Sequence, residues 1–324
     1  MSVPTNLDTF DIKLLEHGVA VIAFNRPKKY NALNPQVYDQ WGRALEWAAK
    51  SDDVRVLVLT GYGKYFTSGQ ELTIPDSSEL EEGADALYKK RSAYTTKVVE
   101  ELIRFPKLII AAIQGNWEMQ GVKTPSSQGS GTLRQDATPT CCSTNRNDPR
   151  GVSFFALLGP VIGFGVTSTA LCDVVYTVPD ATFNTPFMQL GFCAEACSSI
   201  VFPRCVSLSK HIMGSSRANE MLLMGRKFTA EEMREAGMVA RIFPKESFMS
   251  EVLKLATNAA KFPPQAMKDT KALIRDREYD LLEQINKREM ELLGVRMSSD
   301  ESAQAIMEFM MAKYDRKEKA QSKL

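Results

Sequence analysis

Three short stretches of this chain hold residues whose types and spacing suit chemistry. The first, Phe66-Thr67-Ser68-Gly69-Gln70-Glu71-Leu72, follows directly on the apolar run 54–60. A Ser-Gly pair at the end of a buried strand turns the backbone so that the next N–H, that of Gln70, points into a cleft. The same residues serve equally in an ordinary strand-to-loop turn. The second, Gly159-Pro160-Val161-Ile162-Gly163-Phe164-Gly165, leads into a helix expected over 166–171. Free N–H groups and the positive end of the helix dipole suit a phosphate or a developing oxyanion. The stretch matches neither GxGxxG nor GxxxxGK[ST], which disfavours nucleotide binding by those routes. Close helix–sheet packing asks for glycine there as well. The third stretch, 189–199, puts one carboxylate, Glu195, among small and apolar residues. Such surroundings disfavour the charged form, raise the pKa and allow a carboxylate to take and return protons near neutrality. The alternative is a first-turn acid that complements the dipole of a helix starting near Ala196.

The elements that must position these residues read as an α/β core. Residues 10–15 and 19–24 are short apolar runs about His17-Gly18, a hairpin. Asn34-Pro35 is a helix start for 37–49, with Asn as N-cap and Pro in the first turn. A buried strand follows at 54–60, a helix at 85–103, and strands at 107–114 and 172–178. From about residue 212 the chain reads as helical, over 218–224, 229–236, 247–261, 264–275 and 279–293. One segment does not fit. Residues 116–159 are rich in Gly, Ser, Thr, Pro, Asn and Arg and keep neither a helical nor a strand period. A structureless stretch of that length is uncommon inside a compact domain.

Composition narrows the function classes. Lys plus Arg number 40 against 39 Asp plus Glu, a net charge of +1 over 324 residues. That balance argues against an electrostatic nucleic-acid binder or a polybasic membrane protein. The six cysteines (Cys141, Cys142, Cys172, Cys193, Cys197, Cys205) form no CxxC pair, and the two histidines, His17 and His211, sit in no metal-ligand spacing. Any chemistry therefore runs on carboxylates and backbone. Residues 1–10 are polar and lack the apolar stretch of a secretory leader. No membrane span is expected, because the longest apolar run, 154–166, is broken by Gly159, Pro160, Gly163 and Gly165. Ser322-Lys323-Leu324 reads as a receptor-read peroxisomal address, so the expected location is the peroxisomal matrix and one expected partner is the import receptor.

Taken in order, Asn25-Arg26-Pro27, Asn31-Ala32-Leu33, Ser68-Gly69-Gln70, Ile110-Ala111-Ala112-Ile113-Gln114-Gly115, Pro160 to Gly165, Ala170-Leu171-Cys172-Asp173 and Gly225-Arg226-Lys227-Phe228-Thr229-Ala230 resemble the enoyl-CoA hydratase/isomerase (crotonase) family over most of the chain. The resemblance implies a crotonase-like spiral of ββα turns with a helical C-terminal region, a homotrimer or hexamer, and an acyl-CoA thioester as substrate. It divides the chain into a core over 1–260, a helical trimerisation region over 261–321 and the tripeptide 322–324. It implies an oxyanion hole made by the backbone N–H groups of Gln70 and Phe164. The substrate would be bound by Ala32, Ser68, Gly69, Gln70, Glu71, Leu72 and Gly163. The two glutamates of the hydratases are matched by Thr167 and by Phe187 after Pro186, so water addition lacks its acid/base pair.

Glu195, by contrast, falls where Δ3,Δ2-enoyl-CoA isomerases keep their single catalytic Glu. Its Glu-Ala-Cys-Ser-Ser context is similar to the peroxisomal ones. The implied reaction converts 3-enoyl-CoA to 2-trans-enoyl-CoA in the β-oxidation of unsaturated fatty acids. It uses no metal or redox cofactor, coenzyme A being part of the substrate. Two other readings stay open: an acyl-CoA-binding pseudoenzyme whose oxyanion hole is disrupted by an insert, or another crotonase reaction such as dienoyl-CoA isomerisation or thioester hydrolysis. Residues 116–159 and 205–211 interrupt the family pattern, and removing both restores its continuity. That is the expected signature of translated non-coding sequence, the alternative for 116–159 being an extruded loop.

Overall fold

The computed structural model describes residues 2–72, 84–114, 160–203 and 213–321. The segments 116–159 and 205–211 and the tripeptide 322–324 lie outside the described residues, as do Cys141, Cys142, Cys205 and His211. In chain order the first half runs β1 (Phe10–Leu14), β2 (Val19–Phe24), α1 (Pro35–Lys50), β3 (Val56–Gly61), α2 (Ala84–Arg104), β4 (Leu108–Ile113), β5 (Pro160–Ile162), α3 (Phe164–Thr169), β6 (Val174–Thr177) and β7 (Thr182–Asn184). The second half runs α4 (Ser198–Val201), α5 (Gly214–Leu222), β8 (Phe228–Thr229), α6 (Ala230–Glu235), β9 (Arg241–Ile242), α7 (Phe248–Ala260), α8 (Pro264–Arg275), α9 (Tyr279–Met297) and α10 (Asp300–Gln321).

The main sheet has the order β1-β2-β3-β4-β6-β9, with β1 antiparallel to β2 and every other pair parallel. Parallel strands are covered on both faces, so they need uninterrupted apolar runs. VAVIAF in β2, VLVLTG in β3 and LIIAAI in β4 supply them. A second sheet, β5-β7-β8, stands apart from the first. Its strands of two or three residues carry no readable period, which is why sequence inspection passes over it.

The start of α1 follows the expected rule: Asn34 accepts from the Val37 N–H at 3.0 Å, and Pro35 occupies the first helical position. Its inner face, including Tyr38 and Trp41, packs on the aromatic cluster of Phe24 and Phe164. Several boundaries differ from expectation, among them α5, which begins at Gly214 and not at 218. α3 begins at Phe164 and not at 166, because the turn of Gly163 already serves as its N-cap. α9 continues to Met297. Residues 300–321 form the helix α10, inside the helical region 261–321 that the resemblance implies, although the residue pattern itself reads as helical only to 293.

The C-terminal helices are bolted to the core through a buried ion-pair group. Asp173, just before β6, accepts from Lys271 Nζ at 2.7 Å, from Arg275 at 3.0 Å and from the Ile109 N–H at 2.9 Å. Lys271 and Arg275 lie one turn apart on α8, and Arg275 also donates to the Leu171 carbonyl at 2.9 Å. The two cations hold the Asp173 carboxyl below its usual range against the opposing effect of burial. Removing one partner of such a buried group leaves uncompensated charge, at a cost of about 3–5 kcal/mol. Asp173→Ala is therefore expected to lower the urea midpoint at unchanged m-value. A loss within about 0.5 kcal/mol, the range of ordinary surface substitutions, would show that α8 docks by apolar contact alone.

Candidate active site

The two glycine-bearing loops meet edge to edge. Isolated bridges pair Leu33 with Gln70 and Thr67 with Val161, and the Ile162 N–H donates to the Thr67 carbonyl at 3.2 Å. Gly69 has φ +78°, and a Cβ there would stand 2.8 Å from the Ile162 carbonyl oxygen. Only glycine fits both conditions. Thr67 ties the loop down, donating its hydroxyl to the Asn31 carbonyl at 2.6 Å and accepting from the Gly69 N–H at 3.1 Å. Asn31, itself left-handed at φ +53°, donates to the carbonyls of Tyr62 and Tyr65 and accepts from the Arg26 N–H.

Two N–H groups are left over where the loops meet. The Leu33 N–H is given to Gly69 and the Glu71 N–H to Leu33, and the Gly163 N–H goes to Asn184 at 2.8 Å. Those of Gln70 and Phe164 donate to no acceptor among the described residues. Both residues line one cavity of about 800 Å³. Gly163 is thus not a free donor, as a glycine-rich helix start suggested; its φ of +57° instead turns the chain so that the Phe164 N–H leads α3. Unused N–H groups converging on one cavity are what a developing oxyanion requires.

Glu195 lines the same cavity, whose wall also includes Leu190, Phe192 and Leu293. It is not a first-turn residue of a helix starting near Ala196. Ala196 and Cys197 are both left-handed, with φ of +52° and +62°, and α4 begins only at Ser198. Two consecutive non-glycine residues in that region cost about 1–2 kcal/mol each. The kink turns the Glu195 carboxylate inward, and it accepts no hydrogen bond from any described residue. Burial first, and the nearby Glu289 carboxylate second, push its pKa up to about 8.

Ala32, Ser68, Gly69, Gln70, Glu71, Leu72 and Gly163 all lie on this cavity with Phe164 and Glu195. The Glu71 carboxylate is paired through Oε2 with Arg26 at 3.0 Å, and Arg26 also donates to the Ala32 carbonyl. The wall holds residues the sequence did not suggest. Tyr38, from α1, donates to the Gln70 side chain at 3.0 Å and so steadies the loop beside the free N–H. The far end is built by α9 and α10, through Met290, Gly294, Met297, Phe309 and Met310. Phe187 lines the cavity too, whereas the Thr167 side chain is buried and donates to the Phe164 carbonyl. Neither can act as an acid or base there. Among the described residues no group of His, Cys, Asp and Glu has metal-binding geometry, and no helix is long and apolar enough to cross a membrane.

The sequence profile of the enoyl-CoA hydratase/isomerase family matches residues 15–123 and 154–321. This chain belongs to that family. Human enoyl-CoA delta isomerase 2 is 34% identical over 92% of the chain, and the mouse peroxisomal enoyl-CoA delta isomerase 3 is 32% identical over 92%. The chain spans 62% of the human protein's length and 77% of the mouse protein's. In three dimensions it is similar to an enoyl-CoA hydratase/isomerase from Pseudoalteromonas atlantica T6c, with a TM-score of 0.68 at 24% identity over 94% of this chain and 97% of that one. That likeness establishes the crotonase fold, in agreement with the mixed sheet and helical C-terminal region.

Proposed function

We propose that this family member is a Δ3,Δ2-enoyl-CoA isomerase that shifts the double bond of 3-enoyl-CoA esters to the 2-trans position with Glu195 as its only base. The observation that carries the reading is the pairing of one inward-turned carboxylate with two unused backbone N–H groups on a mostly apolar cavity. In this mechanism the thioester oxygen accepts from the Gln70 and Phe164 N–H groups. The Glu195 carboxylate takes a proton from C2, and the C–H electrons form the C1–C2 double bond of a dienolate whose charge rests on that oxygen. The protonated Glu195 then returns the proton to C4 on the same face. The C1 carbonyl re-forms and the double bond settles between C2 and C3. No water, electron or metal enters the balance, so no cofactor is required. A second carboxylate would be needed to add water, and Thr167 and Phe187 stand where the hydratases keep theirs.

The peroxisomal setting is part of the same proposal, supported by the name of the mouse relative and by Ser322-Lys323-Leu324. So are the trimeric or hexameric assembly and the import receptor as partner. Purified protein is expected to convert 3-hexenoyl-CoA to 2-hexenoyl-CoA, a reaction followed by product chromatography. Because the working form of the base is the carboxylate, kcat/KM should rise about tenfold per pH unit below about 8 and level off above it. At pH 7 only about a tenth of the molecules carry the ionised base. A flat profile between pH 6 and 9 would mean that the base ionises below that window and that Glu195 is not held as a neutral acid. Tight binding of the ester with no product at any pH would favour the acyl-CoA-binding protein without catalysis.

A further inference from the structure

Glu289 is a carboxylate on α9, nearly inaccessible to solvent at 7% exposure, and the isomerisation chemistry does not use it. It accepts from the Cys197 N–H at 2.7 Å and from the Ser199 N–H at 3.0 Å, one oxygen to each. Those two N–H groups flank Ser198, the first residue of α4, and belong to the strained turn that aims Glu195. The Cys197 thiol adds a contact to the Leu282 carbonyl on the same helix. On these observations, we infer that Glu289 is a positioning residue: its carboxylate clamps the left-handed turn and thereby both aims the Glu195 side chain and sets the charge around it. The inference rests on Glu195 being the base of the reaction proposed above.

The two glutamates are treated differently by their surroundings. Burial raises both, but at Glu289 the Ser199 side chain and the Ser199 and Cys197 N–H groups offset part of that rise, while no donor offsets it at Glu195. Pairs of carboxylates whose environments diverge in this way divide their roles, one staying charged and the other exchanging protons. The remaining titratable or charged groups about the cavity and the turn are Tyr38 from α1, Arg91 from α2, Lys29, Tyr30, Tyr65 and Glu71 in the cavity wall, Cys193 and Cys197 on the turn, and Arg296 from α9. Arg296 is engaged with the Gly191 carbonyl and Glu301, and Glu71 is paired with Arg26. Both cysteine thiols are pushed up and stay neutral. Of these groups, Glu289 is the one whose charge acts appreciably on Glu195. Glu289 is followed on α9 by Met290 and, one turn on, by Leu293, both in the cavity wall. The helix that seats the apolar end of a substrate thus also holds the base.

Two variants separate charge from reach. Glu289→Gln removes the charge and one acceptor, whereas Glu289→Asp keeps the charge on a shorter arm. Glu289→Gln is expected to move the acid limb of kcat/KM down by about one pH unit and to lower the plateau kcat about tenfold, with KM within about threefold. Glu289→Asp should lower the plateau but leave the limb in place. The Glu195 carboxyl is also titrated directly by carbon-13 NMR, assigned by its loss in Glu195→Gln, and the exchange of the Cys197 and Ser199 amides is measured. These readouts do not need turnover. If the parent protein is inactive yet Glu289→Gln shifts the Glu195 titration and speeds both amides, the clamp stands and the isomerase proposal fails. Should either folded variant leave the amides protected, and Glu289→Gln leave the titration unmoved, Glu289 is only a packed core residue. Should Glu289→Gln not fold, protected amides and an undiminished plateau in Glu289→Asp overturn the clamp.

Discussion

Glu195→Gln is expected to lower kcat for 3-hexenoyl-CoA about 10³- to 10⁴-fold while KM stays within about threefold. A positioned base contributes about 10²- to 10⁴-fold, and here one group both removes and restores the proton, which places the loss at the upper end. Gln has the same length and nearly the same volume, so the cavity wall, which includes Leu190, Phe192 and Leu293, need not rearrange. It cannot accept a proton. The same substitution should make the protein more stable, and the pH dependence of that gain is diagnostic. In the folded chain Glu195 keeps its proton up to about pH 8, whereas the unfolded carboxyl loses it near 4.5. Between those values the native state holds more protons, so its stability falls as pH rises. Gln has no such dependence. The difference in Tm between variant and parent should therefore be small at pH 4, grow through pH 5 to 8 and then level off. A difference that stays flat over that window would mean that the carboxylate is hydrated and is not poised as a neutral acid.

Much of this arrangement is legible in the sequence, and the boundary between what is and what is not has physical causes. Elements set by local rules can be read directly. Asn34-Pro35 caps α1, and the apolar runs of β2, β3 and β4 announce a sheet covered on both faces. The apolar surroundings of Glu195 also show in the sequence. The direction in which it points does not, because the turning residues are Ala196 and Cys197, and neither type advertises a left-handed conformation as glycine does. α10 follows from the family resemblance and not from its own pattern, because its apolar residues form no single stripe; Met307, Phe309, Met310 and Met311 are all left partly or largely exposed. Glu289 did carry a signal. It occurs at core spacing with Leu282, Asn286, Met290 and Leu293, where an unpartnered carboxylate would be costly. A charged residue on the buried stripe of a helix calls for a partner, and that partner lay 90 residues away in the Glu195 loop.

Gly165→Ala should be the most damaging single-methyl change in the oxyanion loop, lowering kcat about 10²- to 10³-fold without touching any side chain that contacts substrate. On helix propensity alone the substitution is favourable by about 1 kcal/mol, since Gly165 is the second residue of α3. Sterics outweigh that gain. The new Cβ would stand 2.2 Å from Thr67 Cγ2 and 2.9 Å from Val161 Cγ2. Thr67 cannot swing its methyl aside, because its hydroxyl is held by the Asn31 carbonyl and the Gly69 N–H. Relief must come from the backbone, at a cost of about 1–3 kcal/mol for an overpacked core, and the backbone that moves carries the N–H groups of both Gln70 and Phe164. A second substitution tests the cause. Thr67→Ser removes the clashing methyl and keeps the hydroxyl bonds, so Gly165→Ala combined with Thr67→Ser should recover most of the lost kcat, the remaining Val161 contact accounting for the shortfall. If the double variant is as slow as Gly165→Ala, the loss does not arise from displacement of the two loops. Gly163 makes a useful contrast, since a Cβ added there would meet nothing closer than the Gly69 Cα at 4.0 Å. Space is not limiting at Gly163, and its φ of +57° is what requires glycine; at Gly165 the requirement is the reverse, a helical backbone with no room for one carbon.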